Sequence, residues 1–282
     1  MKKIETLRDM QKVSTYIYND LNSFCVKNGL KVYLFGGSLI GAVRHKGYIP
    51  WDDDIDVAMS RPDYQKMLEL SDNKWISDKC RIVDPMTDEA FKGYIPLAVY
   101  DNSKLTSKQY KEKEELKISI SIFVYDGAPS GWLAKKLYYA RVYMLRAEHA
   151  LCRADFRNVN TKPAKLLGPV LSPFYKPEDV YKYKKKIIEH ARKYDYEKSK
   201  SCACNCDYQA SREVFDRASF DTPVELDFEG MTCYSFKHYK EHLTRYYGDY
   251  MQLPPEEARK PKHGFEAWIE DGFDYSIIQG EK

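Results

Sequence analysis

The sequence predicts an α/β (α+β) chain in which a mixed sheet is flanked by helices and joined by a helical annex. Three observations carry that prediction. Residues 5–28 repeat apolar side chains at helical spacing and run directly into a short apolar stretch, 32–35. Asp54-Ile55-Asp56-Val57 and the run ISISIFVY at 118–125 alternate with the two-residue period of strands. Residues 131–200, in contrast, hold 17 Lys/Arg against 7 Asp/Glu and read as long basic helices. The implied organisation is an α/β core over 1–130, a basic helical annex over 131–200 and a segment over 201–282 that completes the core.

In the first helix, Leu7, Met10, Ser14, Ile17, Leu21 and Phe24 share a face, and Gly29 stands where a terminating glycine belongs. The strand over 32–35 should end in a tight loop, Gly36-Gly37-Ser38, whose bare backbone N–H groups can approach a phosphate. Residues 39–44 read as a short helix whose N-terminal dipole would face the same anion. Arg44 and His45 close it. Arg44 has the geometry to pair with a phosphate or with nearby carboxylates, and His45 to hold the loop or serve in acid/base chemistry. Lys46-Gly47 turns the chain, and Ile49-Pro50-Trp51 leads stiffly into the acidic strand, with Trp51 expected as a packed wall.

On a strand, Asp54 and Asp56 fall on one face and Ile55 and Val57 on the other; Asp52 joins the first face if the strand starts early. Carboxylates this close repel one another, and a hard divalent cation, Mg²⁺ or Mn²⁺, is the usual compensation, with substrate phosphates completing its shell. The metal ligands read from this pattern are Asp54 and Asp56, the catalytic set is these two with Asp52, and the chemistry is phosphoryl or nucleotidyl transfer. An isolated acidic run is ordinarily a solvated turn. The glycine loop, the spacer and the acidic strand together argue otherwise.

Further along, Ser60 should cap a helix to Leu70, with Pro62 tolerated in its first turn. Strands are expected at 81–84 and 94–100, the latter at a sheet edge because Pro96 lacks a donor. A charged helix over 107–117 precedes the strand at 118–125, and Asp126-Gly127 should turn out of the sheet. A helix over 131–157 aligns Trp132, Leu133, Leu137, Tyr138, Val142 and Leu145, a composition that suits packing and also an interfacial helix. Pro163, Pro169, Pro173 and Pro177 mark a linker before a basic helix at 181–196. Cys202, Cys204 and Cys206 are spaced too tightly for the usual zinc pairs and read as free thiols. Short strands follow over 213–234, then a helix over 238–247.

With 282 residues and 43% hydrophobic side chains the chain can bury a sizeable core, which excludes a disordered protein. No apolar region follows the N-terminal lysines, and no run approaches the roughly 18 apolar residues of a membrane span. Seven scattered cysteines fit a reducing compartment. The expected location is therefore cytoplasmic, with peripheral contact at the inner membrane face open to the basic block. That block would equally suit an anionic acceptor; nucleic acid is the least favoured partner.

The string from Gly36 to Asp56 resembles the LicD family, which includes phosphocholine transferases and fukutin-type phospho-polyol transferases, through Gly37, Ser38, Leu39, Gly41, Ala42, Arg44, His45, Gly47, Ile49, Pro50, Trp51, Asp52, Asp53, Asp54 and Asp56. Near the other end, Tyr247, Gly248, Asp249, Tyr250, Leu253, Pro254, Pro255 and His263 resemble the family's closing segment. The resemblance implies a nucleotidyltransferase fold and transfer of phosphocholine, or another phospho-substituent, from a CDP-activated donor to a hydroxyl of a lipid-linked or anionic glycan or teichoic-acid precursor. The substrate-binding set it implies is Gly36, Gly37, Ser38, Arg44, His45, Asp53, Ser121, Asp126 and His263. One departure matters: the family carries an aspartate where this chain has Ser121, and a hydroxyl is a poor metal ligand and no base at neutral pH. Asp126 and Asp53 are the acids in reach to replace it. The alternatives are an NTP-using nucleotidyltransferase and a catalytically silent binding homologue.

Overall fold

A computed structural model describes residues 1–107, 110, 116–156, 159, 162–261 and 266–277. After a two-residue strand, β1 (Lys2–Lys3), Thr6 starts helix α1 (Leu7–Lys27) by accepting the Asp9 N–H on its hydroxyl at 3.0 Å. Val13, Ile17 and Leu21 on its inner face are fully buried. The helix stops at Asn28, and Gly29 takes the left-handed conformation (φ +67°) that releases the chain.

Strand β2 (Tyr33–Leu34) passes without a loop into α2 (Gly36–His45). Gly36-Gly37-Ser38 is thus the first helical turn rather than the tight loop expected. Phe35 donates its N–H to the Asp56 carbonyl at 2.9 Å and accepts that of Leu39, while Gly36 (φ +55°) supplies the bend. Strand β3 (Asp56–Ser60) begins two residues later than the alternation predicts, and Ser60 caps α3 (Arg61–Leu70), with Pro62 in its first turn.

The strands β4 (Cys80–Val83), β5 (Leu97–Tyr100), β6 (Ser103–Thr106) and β7 (Ser119–Gly127) follow. The central sheet runs β2-β3-β7-β5-β4; β3 and β7 are parallel and the other neighbours antiparallel. β5 is therefore internal, against the edge position read from Pro96. The proline precedes the strand, so no ladder donor is lost, and its carbonyl accepts the Ile122 N–H at 2.9 Å. The charged helix expected over 107–117 falls largely outside the described residues.

β7 also continues through Asp126 and Gly127, which pair with Ala203 and Cys202 instead of turning away. Asp126 is buried there and accepts two bonds from Arg61, Nε to Oδ1 at 2.7 Å and Nη2 to Oδ2 at 2.8 Å. The annex follows as α4 (Trp132–Arg153), α5 (Lys162–Leu171) and α6 (Val180–Ala191). The Tyr138 ring of α4 stacks on His190 of α6 at 4.4 Å, and its hydroxyl donates to the His190 carbonyl. Most of the proline-marked stretch is helix, not linker: α5 carries Pro169 inside it and rests Gly168 against the Phe156 ring.

The chain then returns to the core through β8 (Ser201–Ala203) on β7, β9 (Phe215–Asp216) on β8, the hairpin β10 (Pro223–Phe228) and β11 (Met231–Phe236), helix α7 (Tyr239–Tyr247) and β12 (Glu266–Ile269). β12 lies between β1 and β6. All seven cysteines are buried, and the Cys204 and Cys206 sulfurs lie 3.9 Å apart.

The Arg61–Asp126 pair ties α3 to β7 out of water, so removing one partner strands a buried charge. Asp126→Asn should cost about 3 kcal/mol in urea unfolding, and adding Arg61→Met in the same chain should recover most of it.

Candidate functional site

The segment from Lys46 to Ile55 folds back so that its carboxylates lie beside the first turn of α2. Lys46 (φ +60°) reverses the chain, and a Cβ on Gly41 would collide with the Gly47 carbonyl crossing over it. Glu229, in the β10–β11 turn, clamps the reversal: it donates its N–H to the Lys46 carbonyl, accepts the Tyr48 N–H at 3.1 Å and pairs with Arg8 at 2.7 Å. A Cβ on Gly47 would strike that same carboxylate. Gln11 of α1 donates to the Asp52 carbonyl at 2.8 Å, and the Ser38 hydroxyl accepts the Asp56 N–H at 2.9 Å.

These anchors gather the acids. One carboxylate oxygen each from Asp52, Asp53 and Asp54 lies within 4.8 Å of the others, with Asp53 buried and the outer two half-buried. Asp56 stands next to them, between fully buried Ile55 and Val57. Burial, then the charges of Asp54 and Asp52, push its carboxyl well above the usual carboxylate range. A hydrogen bond from Ser121, its register partner on β7, works the other way. The sequence reading placed metal on Asp54 and Asp56; the structure gathers the oxygens of Asp52, Asp53 and Asp54, with Asp56 outside that trio and linked to it by the charges of Asp54 and Asp52. Hard oxygen donors and mutual repulsion are what a divalent cation would relieve, so the residues present fit one.

The other expected site residues divide. Gly36 and Gly37 make room for acids rather than for an open cradle: a Cβ on Gly37 would come within 2.6 Å of Asp52 Oδ2, and one on Gly36 within 3.4 Å of Asp56 Oδ2. Arg44 is engaged by the C-terminal region. Its Nη1 donates to the carbonyls of Tyr250 (2.7 Å) and Gln252 (3.2 Å), and its Nε to His45 Nε2 (2.9 Å). His45 is thereby an acceptor, and burial together with Arg44 lowers its pKa. Asp126 is held by Arg61 and does not replace the carboxylate missing at Ser121. His263 lies outside the described residues.

Tyr247 and Asp207, which the sequence reading did not place in the site, border the cluster. The Tyr247 hydroxyl sits where a Gly36 Cβ would be 3.5 Å away. Asp207 is a further charge that raises the Asp56 carboxyl, and it accepts from the Tyr246 hydroxyl at 3.1 Å. Burial and Asp207 raise the Glu213 carboxyl well above its normal range. Tyr247 was visible in the closing-segment motif. Asp207 follows the cysteine triplet, and only the β8–β7 pairing brings it here.

Fold and site together describe a mixed α/β domain that gathers carboxylates beside the first turn of a helix. Residues 29–143 match the family model described as "LicD/FKTN/FKRP, nucleotidyltransferase domain". The chain is 31% identical, over 95% of its length and 100% of the other's, to the lipopolysaccharide cholinephosphotransferase LicD of Haemophilus influenzae. Shorter matches join it to uncharacterised proteins of Rickettsia typhi (34% over 64 residues, 22% of this chain and 21% of the other) and Rickettsia prowazekii (40% over 47 residues, 17% and 18%). The chain belongs to the LicD family.

A carboxyl whose folded pKa exceeds its unfolded value makes the fold most stable at low pH and less so as pH rises toward the folded pKa. With a chelator present, the protein should therefore lose stability upward from about pH 4, by roughly 1.4 kcal/mol per unit of the Asp56 shift. Asp56→Asn should remove that slope in thermal unfolding at several pH values. The difference curve isolates Asp56 from buried His242, whose burial lowers its pKa to about 4 and acts in the opposite sense.

Proposed function

We propose that this chain is a LicD-type phosphotransferase that moves phosphocholine from a CDP-activated donor to a hydroxyl of a lipopolysaccharide or related cell-surface glycan precursor. The acidic cluster carries the reading: Asp52, Asp53 and Asp54 converge within 4.8 Å, with Asp56 alongside, at the start of α2. Near full-length similarity to a cholinephosphotransferase supports the head group and acceptor class.

Asp52, Asp54 and Asp56 would hold Mg²⁺ or Mn²⁺, which when bound offsets the negative charge of a diphosphate. The first turn of α2, with its N–H groups and dipole, favours anionic oxygens on the same side. Ser38 fixes Asp56 through its N–H, and Ser121 donates to the Asp56 carboxylate, keeping it oriented and charged when a cation is present. The acceptor oxygen bonds to the phosphorus of the choline phosphate, the bond to CMP breaks, and CMP leaves with the electron pair. Asp207, adjoining Asp56, is the acid we assign to receive the acceptor's proton in place of the aspartate absent at Ser121. Buried cysteines spread through the core accord with a cytoplasmic setting. Among the described residues no helix is long and apolar enough to cross a membrane.

Ser121 also supports a second reading, a binding homologue without turnover. Incubation with CDP-choline, CDP-ribitol and CDP-glycerol, a divalent cation and a glycan acceptor separates the two by CMP release. CDP-choline should give CMP and not pyrophosphate, and Asp54→Ala should lower the rate by at least about 100-fold. No CMP from any donor would refute the transferase, and pyrophosphate from an NTP would assign the chain to nucleotidyl transfer.

A further inference from the structure

Helix α5 is the most apolar short helix of the annex and almost none of it is covered. Leu166, Leu167, Val170, Leu171 and Phe174 are between 43% and 81% exposed, and on a helix their spacing of one and four residues forms one continuous face. Gly168, on the other side, is the buried contact that fastens the helix to Phe156. The face thus points away from the protein by construction. Five such side chains within nine residues are not the scattered exposure of an ordinary surface.

Charge says what would cover it. Lys162, Lys165 and Lys176 bracket the face, and residues 162–176 contain no Asp or Glu. The surrounding block, 131–200, holds 17 Lys/Arg against 7 Asp/Glu. A second copy would set two such blocks against each other, whereas an anionic bilayer attracts each lysine while taking up the apolar face. At ten residues, α5 is about 15 Å long, half the thickness of a hydrocarbon core, so it would lie in the interface rather than span it. α4 shows the same habit. Leu133, Leu137 and Met144 form an exposed stripe opposite buried Tyr138, Val142 and Leu145, and Lys136 lies over the exposed Trp132 ring at 5.2 Å.

We infer that α5, with the turn through Phe174, is an interfacial helix that seats the protein on a bilayer rich in anionic lipid. The inference stands on the surface alone, and transferase activity is not its readout.

The test is sedimentation of the full-length protein with vesicles of phosphatidylcholine alone or with about 30% phosphatidylglycerol, at about 0.1 M salt. Wild type should partition onto the anionic vesicles at least about tenfold more strongly than onto neutral ones. The triple variant Leu166→Asn/Val170→Asn/Phe174→Asn should lose about tenfold or more of that partition, with its thermal midpoint and circular dichroism unchanged. Should that variant misfold, Lys162→Gln/Lys165→Gln/Lys176→Gln takes its place and should lose anionic binding to a similar degree. Failure of wild type to bind anionic vesicles, or binding that the variants leave intact, would overturn the inference. So would a wild-type dimer, split by the apolar variant, that does not bind vesicles.

Discussion

Negative charge packed into one turn of chain is the constraint on which the rest of this structure depends. Two carboxylates 4.8 Å apart repel by about 3 kcal/mol at the effective dielectric of a protein surface, and here three share one place with Asp56 alongside. A free peptide would open. This one is held because every backbone approach to the cluster is fastened: Asp52 donates its N–H to Ile49, its carbonyl accepts from Gln11, the Asp56 N–H binds Ser38, and Ile55 and Val57 are buried in the core.

The same constraint explains why the neighbouring motif is so dense. Gly41 lets the return segment cross α2, Gly47 admits the Glu229 carboxylate, and Gly37 leaves room for Asp52. Arg44 holds the chain at Tyr250 and Gln252, about 200 residues away, and Glu229 holds it at Tyr48 and Arg8. Most residues of this stretch therefore act as scaffold for the acids. The C-terminal region is needed to close that scaffold, which is why the resemblance appears at both ends of the chain.

What was legible in the sequence followed local chemistry. The amphipathic α1, the Ser60 cap of α3, the alternation that became β7 and the acidic cluster each announce themselves within a dozen residues. Features decided by distant partners did not. Asp126-Gly127 has turn composition, yet Arg61 and β8 draw it into the sheet. Pro96 argues for an edge, but it falls one residue outside its strand. Arg44 has the chemistry of a phosphate ligand and is spent on two carbonyls. Asp207 carries no local signal and arrives only through the pairing of β8 with β7. The prolines of α5 have the composition of a linker, while the contact of Gly168 with the Phe156 ring lies outside the local sequence signal.

Ser121 follows from the same electrostatics. Its register partner is Asp56, so an aspartate there would add a fifth carboxylate against a group already driven toward protonation by burial, Asp54 and Asp52. A serine turns that contact from repulsion into donation. The metal-free fold gains, and a cation would find one fewer charged ligand, which weakens its hold. Asp207, from another segment, adds its charge to those acting on Asp56. Because Tyr246 and Glu213 already engage it, that acid is tethered from behind. The balance of acids around Asp56 is thus distributed between two distant parts of the chain, rather than carried wholly by the two parallel strands.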